Sequence, residues 1–286
     1  MLHIEPHAIP HRVIYDSIEA LNYSGSKELL KSPAHFRLYA TTPSEATKAL
    51  RLGSYVHALV LEQEKVHEKF AVIPYNAPKK PTRVQMDAKK PSDETISAIA
   101  WWNDFNETNK LKTVLSAEEA DEANLIAAAA KGCIDRHGFK FKATELMFTT
   151  LFMDAQLKCA IDAVGEDGYL YDLKTCEDAS PVGFLKAVRA YRYNLQANFY
   201  KAAYQAGFKQ HVQGFRFICV EKETLQTAVY ELGPDLMAYG YTDFIKAVDL
   251  YKACLASNDW PGYSQEIQTL DLNKAPSESA APINFA

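Results

Sequence analysis

The chain lacks a nucleotide-binding loop: nothing in it matches G-x-x-x-x-G-K-[ST], so any dependence on ATP has to come from a partner. It lacks paired cysteines as well. Its five cysteines, Cys133, Cys159, Cys176, Cys219 and Cys254, are widely scattered without a C-x-x-C pair. That argues against a disulfide framework, structural zinc and an iron–sulfur cluster, and leaves buried free thiols as the expectation. No apolar run is long enough to span a bilayer, and the opening MLHIEPHAIPHR lacks the basic-then-apolar order of a secretion signal. A cytoplasmic protein without a membrane partner is expected. What is present is a globular composition, 48% hydrophobic over 286 residues, which allows a sizeable core in one large domain or two small ones.

Residues 157–174 read LKCAIDAVGEDGYLYDLK. The GEDG at 165–168 is hairpin chemistry, because glycine and acidic residues tolerate positive φ between apolar runs, and the flanking strands are expected to pair antiparallel. Side chains alternate along a strand, so Leu170, Asp172 and Lys174 face one way and Tyr169, Tyr171 and Leu173 the other. Asp172 and Lys174 are thus neighbours facing Asp162 of the adjacent strand. Two carboxylates beside an ammonium can hold a divalent metal and a polarised water, a group suited to phosphodiester cleavage. A solvated ion-paired strand face explains Asp172 and Lys174 equally well. It does less well with Asp162, which follows the apolar Cys159-Ala160-Ile161 and is costly there unless paired or metal-bound.

Two helical stretches add polar groups. GSYVH at 53–57 lies in a helix expected from about Ser44 to Glu62, and QANFY at 196–200 in one expected from Pro181 to about Ala206. Spacing of i, i+4 puts Gly53 with His57 on one face, and Gln196 with Tyr200 on another. Leu50, Gly53, Val56, His57, Val60 and Leu61 form the expected inward stripe, with Gly53 admitting close approach of a neighbour. A histidine on such a face is either a satisfied core residue or a ligand. The order G-x-x-x-H, D, D-x-K, Q-x-x-x-Y resembles the RecB-type branch of the PD-(D/E)xK nucleases. Ile161 stands where that motif has its proline, and the second acid is Asp172 rather than glutamate. NYSGSKELLKSPAHF at 22–36, LGSYVHALVLE at 52–62 and above all RYNLQANFY at 192–200 resemble the exodeoxyribonuclease VIII (RecE) family, over roughly residues 15–260.

The resemblance implies an α/β fold, a mixed and mainly antiparallel central sheet flanked by helices, with a restriction-endonuclease-like core. It implies a single nuclease domain over residues 1–270, with a mainly helical part at 22–140 carrying His57 and a catalytic core at 141–260, followed by a disordered tail at 271–286. The implied activity is that of a phage-type recombination exonuclease. It would remove the 5′-ended strand of linear double-stranded DNA, with Mg²⁺ (Mn²⁺ as substitute) and without ATP, leaving 3′ overhangs for a strand-annealing protein. The implied assembly is a closed ring of identical subunits. Asp162, Asp172, the Leu173 carbonyl and His57 would hold the metal, with Glu145, upstream of the hairpin, as a further candidate ligand. Lys174 would activate the attacking water, and Gln196 and Tyr200 would hold this constellation or the scissile strand in place.

A net charge of −5 and a pI near 5.9 work against phosphate binding, so the cations that contact DNA have to be local. Lys79, Lys80, Arg83, Lys89 and Lys90 cluster in a proline-rich loop at 74–94, and Lys186, Arg189 and Arg192 in the helix after the hairpin. The loop reads equally as a basic flap at the DNA entrance and as a solvated connector, while Trp101 and Trp102 read as core packing ahead of base stacking. Further helices are expected at 94–112, at 117–131 behind a capping box of Ser116 and Glu119, after Ser32-Pro33, after a cap at Ser24, and at about 234–256. Strands are expected at 144–154, 211–221 and 224–231. Two rival readings stand: a structure-selective or single-strand endonuclease on the same site, and a non-catalytic DNA-binding module with a decayed site. The joint presence of Asp162, Asp172 and Lys174 weighs against decay.

Overall fold

Polar side chains fix where the helices begin in the computed structural model, which describes Ile9 and residues 12–42 and 47–267. The helices are α1 (Arg12–Ser17), α2 (Tyr23–Leu29), α3 (Pro33–Thr41), α4 (Lys48–Leu61), α5 (Val66–Lys69), α6 (Arg83–Met86), α7 (Asp93–Thr108), α8 (Ala117–His137), α9 (Pro181–Tyr191), α10 (Tyr193–Phe208) and α11 (Pro234–Ser257). Ser32, Thr47, Ser92 and Ser180 each accept a backbone N–H from the first turn of the helix they precede, and Ser116 and Glu119 form the expected reciprocal box before α8. The cap of α2 is Asn22, whose side chain accepts the Gly25 N–H at 2.6 Å; Ser24 lies inside the helix. The tail expected at 271–286 and the helix start expected near Ser44 fall outside the described residues.

The strands are β1 (Phe70–Val72), β2 (Thr113–Leu115), β3 (Phe141–Phe152), β4 (Ala155–Gly165), β5 (Leu170–Cys176), β6 (Phe215–Glu221) and β7 (Thr227–Glu231). Strands β3 to β7 lie in chain order in one five-stranded sheet, antiparallel except for the parallel β5–β6 pair, which is the mixed, mainly antiparallel sheet expected. A parallel β1–β2 pair outside it was not expected, since three-residue strands carry too little periodicity to read. One face of the large sheet packs through Leu157, Ile161, Leu170 and Phe217 on Leu195, Phe199 and Phe244 of α10 and α11. The other packs through Ala163, Tyr171, Leu173 and Ile218 on Val56 of α4 and Ile126 of α8. Leu170 and Tyr171 therefore serve opposite faces, as the alternation of β5 requires.

Three local expectations shift. The α4 stripe runs through Leu52, Tyr55, Val56 and Ala58, whereas Leu50 is 58% exposed. The helix expected to run from Pro181 to Ala206 is two helices, because Arg192 adopts a left-handed conformation (φ 55°) and its guanidinium pairs with Asp243 of α11 at 2.5 Å. The loop at 74–94 contains α6, closed by its own capping box of Thr82 and Gln85. Trp101 stacks on Phe105, and Trp102 donates its indole N–H to the Pro78 carbonyl at 2.9 Å, so both are used in packing. Cys133, Cys159, Cys219 and Cys254 are buried free thiols, and Cys176 is half-buried. Among the described residues no helix is long and apolar enough to cross a membrane.

Two glycines test this packing in opposite directions. At Gly240 of α11 a methyl group would come 2.3 Å from the Asn194 carbonyl oxygen of α10, so Gly240→Ala is expected to force the helices apart and destabilise by about 1–3 kcal/mol or more. At Gly132 of α8 a methyl would meet nothing within 4 Å, and Gly132→Ala is expected to stabilise by about 1 kcal/mol through helix propensity. Urea unfolding of the two variants checks both signs.

Candidate active site

Strands β4 and β5 leave the GEDG turn as an antiparallel pair, but only Val164↔Leu170 and Ala163↔Tyr171 are in register before they part. Where the next pair would stand, the Asp162 carboxylate accepts the Leu173 backbone N–H at 2.8 Å. The Leu173 carbonyl meets His57 Nε2 of α4 at 2.8 Å. Both main-chain polar groups of Leu173 are therefore engaged by predicted site residues. Asp162 turns toward α4, with Oδ2 3.4 Å from His57 Nδ1. Asp172 meets Gln196 of α10, and Asp162 still acts electrostatically on both Asp172 and Lys174.

Asp172 is 2% exposed, and each of its carboxylate oxygens has a partner. Gln196 donates through Nε2 to Oδ1 at 2.6 Å, and Lys174 Nζ is ion-paired with Oδ2 at 2.5 Å, a contact close in distance without good hydrogen-bond direction. The Lys174 ammonium also sits 4.6 Å from the centre of the Tyr193 ring, a cation–π contact. Gln196 Oε1 is buried with no hydrogen-bond partner among the described residues. Tyr200 packs on Tyr23, Phe199 and Phe215, and its hydroxyl makes no hydrogen bond with another described residue.

Glu145 lies on β3 between the Thr144↔Ala163 and Leu146↔Ile161 pairs, and so across from Asp162. Its φ of 48° is a left-handed conformation that a non-glycine residue adopts at a cost of about 1–2 kcal/mol. Its carboxylate lies 3.9 Å from His57 Nδ1. His57, Glu145 and Asp162 can each offer one ligand atom, all within 4.8 Å of one another. The electrostatics leave that group short of positive charge. Burial, then the Asp162 charge, pushes the Glu145 carboxyl from its ordinary 4.5 up to about 7, with His57 opposing. Burial likewise pushes Asp172 up to about 6, against the pull of Lys174. Burial of Lys174 works against its charge, but Asp172, Tyr193 and Asp162 outweigh it and raise its pKa, so it is an ammonium at neutral pH. Imidazole with hard carboxylate oxygens is a donor set that suits Mg²⁺ or Mn²⁺, and a dication is what this crowded pair of acids lacks.

The remaining sequence candidates divide. Gly53 and His57 do share the α4 face over β5, but a methyl at Gly53 would find Thr175 Oγ1 at an ordinary 3.7 Å, so no close approach demands the glycine. Arg189 and Lys186 are exposed on α9, whereas Arg192 is committed to Asp243. Lys79, Lys89 and Lys90 are exposed, Lys80 lies 5.4 Å from the Trp102 ring centre, and Arg83 pairs loosely with Asp87 at 3.7 Å. Sequence reasoning missed Tyr193, although its i−3 spacing from Gln196 on one helix face was a usable signal. It also missed Lys27 of α2, for which no motif stood.

The sheet, the parted strands and the D-x-K lysine define a protein of the PD-(D/E)xK nuclease type. Residues 22–273 match the PDDEXK-like domain of unknown function DUF3799, and the chain belongs to that family. Among solved structures it is similar to a provisionally assigned exonuclease from Eubacterium rectale, at 13% identity and a TM-score of 0.56, covering 93% of this chain and 94% of that one. A weaker likeness, TM-score 0.32 at 13% identity, covers 72% of this chain and 96% of an alkaline exonuclease from Laribacter hongkongensis. No curated protein matches the chain significantly.

The raised Glu145 has a consequence for stability. An acid whose folded-state pKa lies above its unfolded value costs nothing below about pH 4.5, and the penalty is complete above about pH 7. Glu145→Gln is therefore expected to raise Tm in chelator at pH 8, by an amount corresponding to at most about 3 kcal/mol, with little effect at pH 4.5. The same variant should lose most of the Tm increase that Mn²⁺ gives the wild type. Scanning calorimetry at both pH values, with and without metal, reads both effects.

Proposed function

We propose that the chain is a divalent-metal-dependent exodeoxyribonuclease that removes the 5′-ended strand of linear duplex DNA and leaves 3′ overhangs for a strand-annealing partner in recombination. The observation that carries the reading is the gathering of His57, Glu145 and Asp162 around the main chain at Leu173, next to Asp172, Lys174 and Gln196. The finer assignment of end polarity and overhang rests on the sequence resemblance to exodeoxyribonuclease VIII alone, while the exonuclease label of the Eubacterium rectale protein supports the coarser exonuclease reading. His57, Glu145, Asp162 and the Leu173 carbonyl are the groups that would hold Mg²⁺. The ion supplies charge neutralisation at the phosphate and acidifies a bound water.

The chain's own groups supply the rest. Lys174, fixed by Asp172 and by the Tyr193 face, presents a permanent positive charge that orients the attacking water and offsets charge developing on the phosphate. Gln196 holds Asp172 in the rotamer that positions Lys174. With no nucleotide-binding loop, movement along DNA draws on hydrolysis itself. A closed ring of identical subunits is the assembly we propose, with local cations lining the channel of a cytoplasmic, acidic protein.

End-labelled linear duplex and covalently closed circles, each with Mg²⁺, with Mn²⁺ and in chelator, test the reading. Metal-dependent release of nucleotides from linear DNA with circles intact is the expected result. Nicking of circles would favour a structure-selective or single-strand endonuclease, and DNA binding without cleavage a non-catalytic module. Lys174→Ala, Asp162→Ala and Asp172→Ala are each expected to lower kcat by at least about 10²–10³-fold, the scale of removing one electrostatic stabiliser, with circular dichroism showing a retained fold. Cleavage by Lys174→Ala at the wild-type rate would remove Lys174 from the chemistry.

A further inference from the structure

Beside the cleft the chain builds a wall of tyrosines that the reaction itself does not use. Tyr23 of α2 donates its hydroxyl to the Tyr191 carbonyl at 2.5 Å, which ties α2 to the α9–α10 junction. Tyr191 stacks on Tyr193, centroids 5.6 Å apart at 29°, and Tyr193 underlies Lys174. At the other end of this wall Lys27 Nζ lies 4.8 Å from the Tyr23 ring centre. Each of the two ammonium groups thus sits on a tyrosine ring, and the two rings are linked through the Tyr23 hydrogen bond and the Tyr191–Tyr193 stack. Asp172 pairs with Lys174, while no described acid forms an ion pair with half-buried Lys27. Tyr191, between them in this run, is 55% exposed.

We infer that this wall is a binding site for one DNA strand, in which Lys27 holds a backbone phosphate beside the cleft and Tyr191 stacks on the neighbouring base. This rests on the nuclease reading and extends it to the path of the cut strand. Lys27 forms no ion pair with a described acid and feels the Lys174 charge; burial, then that like charge, lowers its pKa, with Glu28 opposing. A phosphate relieves both, since it supplies the missing anion where local dielectric is low. Base stacking on an exposed tyrosine is tolerant of sequence, which suits an enzyme that meets every base in turn. The left-handed Arg192 is what turns the chain between α9 and α10 at this point, directly after Tyr191.

Fluorescence anisotropy of a labelled oligonucleotide, with Ca²⁺ in place of Mg²⁺ and over a range of salt, tests the site. Lys27→Met is expected to bind about tenfold more weakly and to lower the log–log salt slope by about 0.7–0.9, the share of one phosphate contact, while Lys27→Arg stays near wild type. Tyr191→Ala should bind at least about fivefold more weakly, with Tyr191→Phe unchanged. In both cases KM for digestion rises more than kcat falls, and the Tm increase given by Mn²⁺ is retained. Wild-type affinity and salt slope in both Lys27→Met and Tyr191→Ala would overturn the inference, and intact cleavage by those variants would leave the nuclease reading standing. A wild-type protein that binds DNA through these residues but never cleaves it would instead overturn the nuclease reading alone.

Discussion

The main chain at Leu173 is what the site depends on. Its N–H is taken by Asp162 of β4, and its carbonyl meets His57 of α4. Because Asp162 substitutes for the lost ladder bond, β4 and β5 can separate without leaving a buried donor unpaired. The parallel β5–β6 pairing is continuous from Leu170 to Cys176 while the other edge of β5 opens. The site is thus positioned by main-chain groups of a strand rather than by a loop.

The cost of this arrangement appears as local frustration. Glu145 is held at a left-handed φ to face another acid, Asp172 is buried beside a lysine, and Gln196 spends one amide proton on Asp172 while its oxygen stays unmatched. Other buried or half-buried charges are met in full. Buried Lys158 donates to the carbonyls of Tyr15, Asp16 and Ile18 and so closes the end of α1, and Arg216 is satisfied by Asp167, Glu231 and the Tyr171 hydroxyl. Acids crowded at Glu145, Asp162 and Asp172 are the feature of this site that a cationic ligand would relieve.

The hairpin was legible because GEDG is unambiguous turn chemistry and β5 alternates strictly. The same alternation correctly put Asp172 and Lys174 on one face. It could not show that the strands part, since that depends on a hydrogen bond between a β4 side chain and a β5 backbone group. Asp162 was accordingly placed at the site without its hydrogen bond to the Leu173 N–H. The α9–α10 break was hidden for a related reason: arginine is not a residue that signals αL, and only the pairing with Asp243, 51 residues away, makes that conformation worthwhile. Leu50 failed because a period of 3.6 fixes the width of an apolar stripe more firmly than its phase. Lys27 had no local signal at all; its meaning comes from rings contributed by α2 and the α9–α10 junction.

The acidic composition becomes easier to reconcile with DNA once the cations are sorted by what holds them. Arg192, Arg216, Lys31, Lys69 and Lys222 are each engaged by a carboxylate, so they add little to the field that a phosphate would feel. Among the described residues Lys27, over the Tyr23 ring, forms no ion pair with an acid, and Arg189 is exposed on α9. A weak overall field means slow, weak capture of DNA in general, because non-specific affinity comes from the number of phosphates neutralised. A strand that reaches the cleft, however, meets lysines mounted on tyrosine rings at low dielectric, where each contact counts for more than it would on an open surface. Binding should then depend on a threaded strand more than on bulk duplex, and discrimination follows from where the charges sit rather than how many there are.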